Sequence, residues 1–202
     1  MTKIKLCGLS SPGDMETANR LMPEYIGFVF APKSRRRVSP AQAEALKQLL
    51  DPRIAAVGVF VRETPETVAE LLSRGVIDIA QLHGGEDEAY IETLRSYTKK
   101  PIIQAFCINT AEDATAAERS TADFVLLDAG NGGTGTVFDW ELIRHFTRPY
   151  FLAGGLDPIH VGMAIQKLHP YAVDVSSGIE TDGRKDPAKM TAFVAAVRHT
   201  ET

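Results

Sequence analysis

Eight short apolar runs, rich in β-branched and aromatic residues, recur along the chain at 4–7, 25–30, 54–61, 77–82, 101–106, 124–127, 150–153 and 171–175. Each has the length of a β-strand and is bounded by turn residues. Between them the pattern changes to helical spacing. Ser39-Pro40 places a cap before a proline at the first helical position and predicts a helix over 41–50, with Ala45, Leu46, Leu49 and Leu50 on its apolar stripe. Thr64-Pro65-Glu66 opens a second helix carrying Val68, Leu71 and Leu72. Asp157-Pro158 opens another with Val161, Ala164, Ile165 and Leu168 on one face, and Asp186-Pro187 opens the last, over 188–198. Eight strands alternate with about eight helices, about 25 residues per unit, which predicts an α/β fold with a parallel sheet and right-handed crossovers. No spacer or shift of composition interrupts the alternation, so residues 1–202 read as one compact domain.

Two architectures satisfy this pattern, a closed (β/α)8 TIM barrel and an open doubly wound sheet. The ends of the apolar runs separate them. Cys7-Gly8, the basic loop 33–37, Gln81-Leu82-His83-Gly84, Asp128, Ala153-Gly154-Gly155 and Ser176-Ser177-Gly178 each follow a run. A barrel gathers all of these on its C-terminal rim, where such folds place their chemistry. An open sheet would spread them along an edge and use only a crevice at the switch point. The barrel is therefore the predicted fold.

Composition narrows the class further. Of 202 residues 44% are hydrophobic and 24% charged, an ordinary globular balance that excludes disordered and low-complexity readings. The net charge of −4 argues against a dedicated nucleic-acid partner. The N-terminal residues are charged and lack an apolar signal-peptide core, and no apolar run is long enough to span a bilayer. With two cysteines, Cys7 and Cys107, and no Cys-x-x-Cys pair, the expected location is the reducing cytoplasm and no membrane partner is expected. Helices on the outside of a barrel suit a monomer or a homodimer equally.

The rim residues suggest proton-transfer chemistry on a small anion. Either glycine-rich turn, Gly154-Gly155 or Ser177-Gly178, reads alone as a tight turn; on adjacent strands, beside a helix N-terminus, they predict a phosphate site. Gly130-Asn131-Gly132-Gly133-Thr134-Gly135 satisfies a dinucleotide-binding pattern, but Asp128 just before it would repel a pyrophosphate, and a lid over the rim is the better reading. Position alone favours Cys7 as a small buried hydrophobe. Strand alternation, however, puts Lys3, Lys5 and Cys7 on one face, where the Lys5 ammonium would favour a Cys7 thiolate and lower its pKa. Asp128, at the lip of an apolar strand, is either a general acid or a loop carboxylate. Among Lys33, Arg35, Arg36 and Arg37 a clamp for a substrate carboxylate competes with a solvated loop. His83 is a rim hydrogen-bonding group or an interior histidine. The five histidines show no ligand spacing, so no metal and no cofactor is expected.

Taken in order, Lys5-Leu6-Cys7-Gly8-Leu9, Gly27-Phe28-Val29-Phe30 with Ser34-Arg35-Arg36, Val57-Gly58-Val59-Phe60-Val61, Gln81-Leu82-His83-Gly84, Leu127-Asp128, Gly132-Gly133-Thr134-Gly135 with Phe138-Asp139-Trp140, Ala153-Gly154-Gly155-Leu156 and Asp174-Val175-Ser176-Ser177-Gly178-Ile179-Glu180 resemble the phosphoribosylanthranilate isomerases of tryptophan biosynthesis. The resemblance covers nearly the whole chain. It implies a (β/α)8 barrel that converts N-(5-phosphoribosyl)anthranilate to 1-(2-carboxyphenylamino)-1-deoxyribulose 5-phosphate, an Amadori rearrangement. By matching motif it implies Cys7 as general base and Asp128 as general acid. It further implies Arg36 on the anthranilate carboxylate, His83 among the substrate-binding residues, and Gly154, Gly155, Ser177 and Gly178 at the phosphate. Arg35 stands where the family commonly has proline. Other readings are a metal-dependent sugar-phosphate epimerase, a non-catalytic phospholigand module and a dinucleotide-dependent oxidoreductase.

Overall fold

A computed structural model describes residues 1–128 and 140–200. The glycine run from Gly130 to Gly135, and Phe138 and Asp139, lie outside the described residues. Eight parallel strands, β1 (Lys3–Cys7), β2 (Tyr25–Val29), β3 (Ala55–Phe60), β4 (Ile79–Leu82), β5 (Ile102–Cys107), β6 (Phe124–Asp128), β7 (Tyr150–Leu152) and β8 (Ala172–Val175), close in sequence order into a barrel. β8 pairs back onto β1, with Lys5 opposite Asp174. The helices around it are α1 (Pro12–Leu21), α2 (Pro40–Lys47), α3 (Pro65–Ser73), α4 (Glu88–Tyr97), α5 (Ala111–Arg119), α6 (Val161–Leu168) and α7 (Pro187–His199). A two-stranded hairpin, β9 (Glu180–Thr181) and β10 (Arg184–Lys185), stands on the loop after β8. Among the described residues no helix is long and apolar enough to cross a membrane.

Local chemistry sets the helix starts. Ser11, Ser39, Thr64, Asp87, Thr110 and Asp186 each accept a backbone N–H of the first turn, and a proline follows directly in α1, α2, α3 and α7. The period of two along each strand then sorts side chains into two layers. Leu6, Phe28, Phe60, Leu82, Leu127 and Val173 point outward and pack with Met15, Leu46, Val68, Leu94, Ile165 and Phe193 of the helices. The opposite face turns into the barrel, where Tyr25, Val57, Ile79, Ile103, Leu126 and Phe151 form a separate apolar cluster. Cys7, Val29 and Val59 cap that interior at its upper end.

Three expectations about helices change. About eight were expected, and seven α-helices lie among the described residues; between β6 and β7 the described part holds only a 3-10 turn, Trp140–Ile143. α2 stops at Lys47 instead of reaching residue 50, because Leu49 and Leu50 donate three residues back, to Leu46 and Lys47. The buried stripe instead keeps the ordinary helical spacing of three and four residues from Ala43. Ala43, Leu46 and Leu50 are buried, while Ala45 and Leu49 are exposed. α6 begins at Val161, not at Pro158. The Asp157 carboxylate accepts the N–H groups of Ile159 and His160 and closes a turn ahead of the helix.

Candidate active site

The upper mouth of the barrel holds a cavity of about 320 Å³. Cys7, Arg36, His83, Asp128, Gly154, Gly155 and Ser177 all line it. Residues from six strand ends thus meet at one place because each ends a strand of the closed sheet on the inward parity or sits in the loop that follows. Gly178 does not line the cavity. A Cβ there would stand 2.0 Å from the Leu156 carbonyl oxygen, so glycine lets the loops after β7 and β8 touch. The helix N-terminus expected beside these turns is displaced, since α6 starts later and Asp157 occupies the amides that precede it.

Beneath the mouth lies a fully buried cation. Lys5 has no exposure and donates to Asp174 Oδ1 at 2.8 Å. Burial acts against its charge, but Asp174 and Cys7 beside it outweigh burial and raise its pKa. Cys7 behaves differently from expectation. Burial pushes the thiol up and is stronger than the pull of Lys5 toward the thiolate; Asp174 adds to the push, and Lys185 to the pull. The expected lowering of the Cys7 pKa is therefore corrected to a rise. Lys5 does favour the thiolate, but its charge is shared with Asp174. Gly27 pairs with Cys7 across the sheet, and a Cβ there would approach the Cys7 sulfur to 2.7 Å.

On the far side of the mouth, His83 Nε2 lies 3.3 Å from Asp128 Oδ2. The Gln81 amide nitrogen is 2.9 Å from His83 Nδ1. With that amide donating, Nδ1 is the acceptor and the ring proton sits on Nε2, directed at Asp128. Among the described residues, Asp128 Oδ1 is buried without a hydrogen-bond partner, as is Gln81 Oε1. The third wall carries Arg36. Its Nε and Nη2 donate to Glu180 at 2.5 and 2.9 Å, while Arg35 is 61% exposed and does not line this cavity. Arg37 is exposed, and its backbone bridges to Val29.

The residues 4–196 match the family model of N-(5'phosphoribosyl)anthranilate isomerases. The chain belongs to the N-(5'-phosphoribosyl)anthranilate isomerase family. The isomerase of Endomicrobium trichonymphae is 42% identical over 202 residues, covering 98% of this chain and 99% of that one. The crystal structure of the Thermotoga maritima phosphoribosyl anthranilate isomerase superposes with a TM-score of 0.90 at 34% identity, over 98% of this chain and all of that one. A further phosphoribosyl anthranilate isomerase structure, in complex with reduced 1-(o-carboxyphenylamino)-1-deoxyribulose 5-phosphate, superposes with a TM-score of 0.87 at 33% identity and 98% and 100% coverage.

Within this isomerase fold, several polar residues at the mouth carry no role in the sequence reading. Gln81, Asp174 and Ser176 line the cavity, and Glu180 and Lys185 stand behind Arg36. Gln81 and Asp174 were visible as polar residues on the inward parity of otherwise apolar strands. Glu180 and Lys185 flank Asp182-Gly183, both at positive φ of 51° and 76°, a hairpin signature that makes them a cross-strand pair. Among the described residues no group of three His, Cys, Asp or Glu is placed to hold a metal ion.

Proposed function

We propose a division of labour in which Cys7 is the base, Asp128 the acid, and Arg36 and the two glycine turns hold the ends of the substrate. The enzyme isomerises N-(5'-phosphoribosyl)anthranilate in tryptophan biosynthesis, as its family does. In the proposed sequence Asp128 gives its proton to the ribose ring oxygen, the bond from that oxygen to C1 breaks, and the anilino nitrogen supplies the electrons to form an iminium. The Cys7 thiolate then removes the proton from C2 to give an enolamine. Tautomerisation gives the aminoketose, and the proton taken by Cys7 returns Asp128 to its starting state through product and solvent.

The observation that carries this reading is that Asp128, whose buried Oδ1 has no partner among the described residues, lines the same cavity as Cys7. A buried oxygen without a partner costs stability that a substrate hydrogen bond recovers. His83 Nε2, 3.3 Å from Oδ2, leaves Oδ1 as the carboxyl oxygen without a partner among the described residues. Burial holds the resting Cys7 as a thiol, while Lys5 and Lys185 pull against it toward the thiolate that the second step needs. Arg36 alone of the three loop arginines lines the cavity, which supports it as the carboxylate clamp. The phosphate is assigned to the N–H groups of the Gly154-Gly155 and Ser177 turns. All these groups come from one chain, so the chemistry is complete in a monomer and unaltered in a homodimer. A cytoplasmic location fits an unpaired thiol as base.

The test follows the fluorescence of freshly made phosphoribosylanthranilate. Wild-type protein is expected to consume it, and Cys7→Ala and Asp128→Asn are expected to lose at least about 100-fold in turnover. Near-normal turnover by either variant would remove that residue from its role.

A further inference from the structure

Behind Arg36, three cations converge on one carboxylate. Glu180 Oε1 accepts from Arg36 Nε at 2.5 Å and Lys185 Nζ at 2.7 Å; Oε2 accepts from Arg36 Nη2 at 2.9 Å and Arg35 Nη2 at 2.8 Å. The Glu180 side chain is only 4% exposed. Lys185, equally buried, also donates to the Ser176 carbonyl at 2.8 Å, tying the cluster to the loop after β8. Burial acts to raise the Glu180 pKa, but the hydrogen bonds from Arg36 and Lys185 prevail and hold it near 2, so the carboxylate stays ionised at neutral pH. A Cβ at Gly8 would come within 2.5 Å of Arg36 Cδ, so the stem of Arg36 lies against the end of β1 and has little room to swing.

A guanidinium has two forked faces, one from Nε and one Nη, the other from the two Nη groups. Glu180 occupies the first. We propose that Glu180 is a positioning residue for the isomerisation: by holding Arg36 side-on it presents the end-on fork to the substrate carboxylate. It thereby sets the preference for an anthranilate over a plain anilide. The inference rests on Arg36 as the clamp. Because Arg35 and Lys185 also pair with Glu180, that carboxylate does not neutralise Arg36 alone, and the substrate carboxylate adds to Glu180 instead of displacing it.

The experiment measures steady-state kinetics on two substrates, phosphoribosylanthranilate and the phosphoribosyl derivative of aniline, which lacks the carboxylate. Glu180→Gln is expected to raise KM for the first about tenfold, the worth of one charge-assisted hydrogen bond, with kcat nearly unchanged and no effect on the second. In the Arg36→Ala background Glu180→Gln is expected to add nothing, and Glu180→Asp, which keeps the charge, should recover part of the loss. Equal damage on both substrates, or losses that add to those of Arg36→Ala, would make Glu180 merely structural and overturn the proposal. An unchanged KM in Glu180→Gln, with Arg36→Ala impaired, overturns this inference alone. An unchanged KM in Arg36→Ala removes the clamp and the inference together. Should Glu180→Gln fold poorly, the Glu180→Asp comparison on the two substrates decides: an intermediate KM confined to the carboxylate substrate supports the role, and equal effects on both refute it.

Discussion

The lower and upper ends of the barrel interior are built from the same face of the same strands, yet they are filled in opposite ways. At the lower end the rings of Tyr25, Phe124, Phe151 and Tyr171 pack with centroids 5.3 to 5.8 Å apart, and Lys3 lies 4.6 Å over the Tyr171 ring. The polar groups there pair with one another: Lys3 Nζ donates to the Tyr171 hydroxyl at 2.7 Å, which lies 3.1 Å from that of Tyr25. At the upper end Cys7, Gln81, His83, Asp128 and Asp174 share the mouth, and two buried side-chain polar atoms have no partner among the described residues. Between the two, the Lys5–Asp174 pair is a charged floor. The contrast separates tasks. The lower plug excludes water and stabilises the closed sheet, while the mouth keeps hydrogen-bonding capacity for a ligand.

The sharpest way to break this contrast is to truncate one residue at each end. Cys7→Ala should lower kcat by about 100- to 10,000-fold while the melting temperature hardly moves. A variant that melts early and keeps its turnover per folded molecule would place Cys7 with the structural residues. Phe151, fully buried in the lower cluster, should show the reverse. Phe151→Ala is expected to cost about 3–5 kcal/mol in denaturant unfolding through lost contacts and the cavity left behind. Its kcat and KM, measured where the variant remains folded, should match the parent; a selective loss of kcat would show that the two ends are coupled.

Smaller effects refine the division within the mouth. Gln81→Leu removes the group facing His83 Nδ1 and frees the ring to change tautomer. A loss of about tenfold in kcat is expected, one hydrogen bond to a charged or reacting group. Unchanged kcat would mean that Asp128 needs no orientation from His83. The mildest effect is on the pH dependence. Burial raises the Cys7 thiol above its ordinary value, so the folded protein holds that proton more tightly than the unfolded chain. Its contribution to stability is complete below the unfolded thiol pKa and is lost as pH rises through the folded one. Over the same alkaline range the thiolate forms, and kcat/KM should climb. Cys7→Ala should abolish the alkaline fall in melting temperature that this group causes; an identical alkaline profile in parent and variant would refute the assignment.

Parity made much of the mouth legible in one dimension. Cys7 follows Lys5 by two, His83 follows Gln81 by two, and Asp128 ends an apolar run, so their common direction needs only the strand period. The caps were legible for the same reason: Ser39-Pro40, Thr64-Pro65 and Asp186-Pro187 act on amides within one turn of themselves. Asp157-Pro158 shows where that logic gives out, since the same dipeptide closed a separate turn and α6 began at Val161. The stripe of α2 runs from Ala43 through Leu46 to Leu50, one position off the expected Ala45 and Leu49, because which face meets the barrel is set by packing and not by the helix itself.

From the sequence alone came the order of strands, the inward and outward faces, and the list of reactive groups that a closed barrel brings to its rim. These depend on neighbours a few residues away. The state of those groups was decided by the tertiary structure. Lys5 is divided between Asp174 and Cys7, the latter keeps its proton more tightly than a free thiol, and Arg36 is held by Glu180 from 144 residues away. Desolvation and ion pairing sum over every group within a few ångströms, whatever its place in the chain, and only the closed barrel sets those distances.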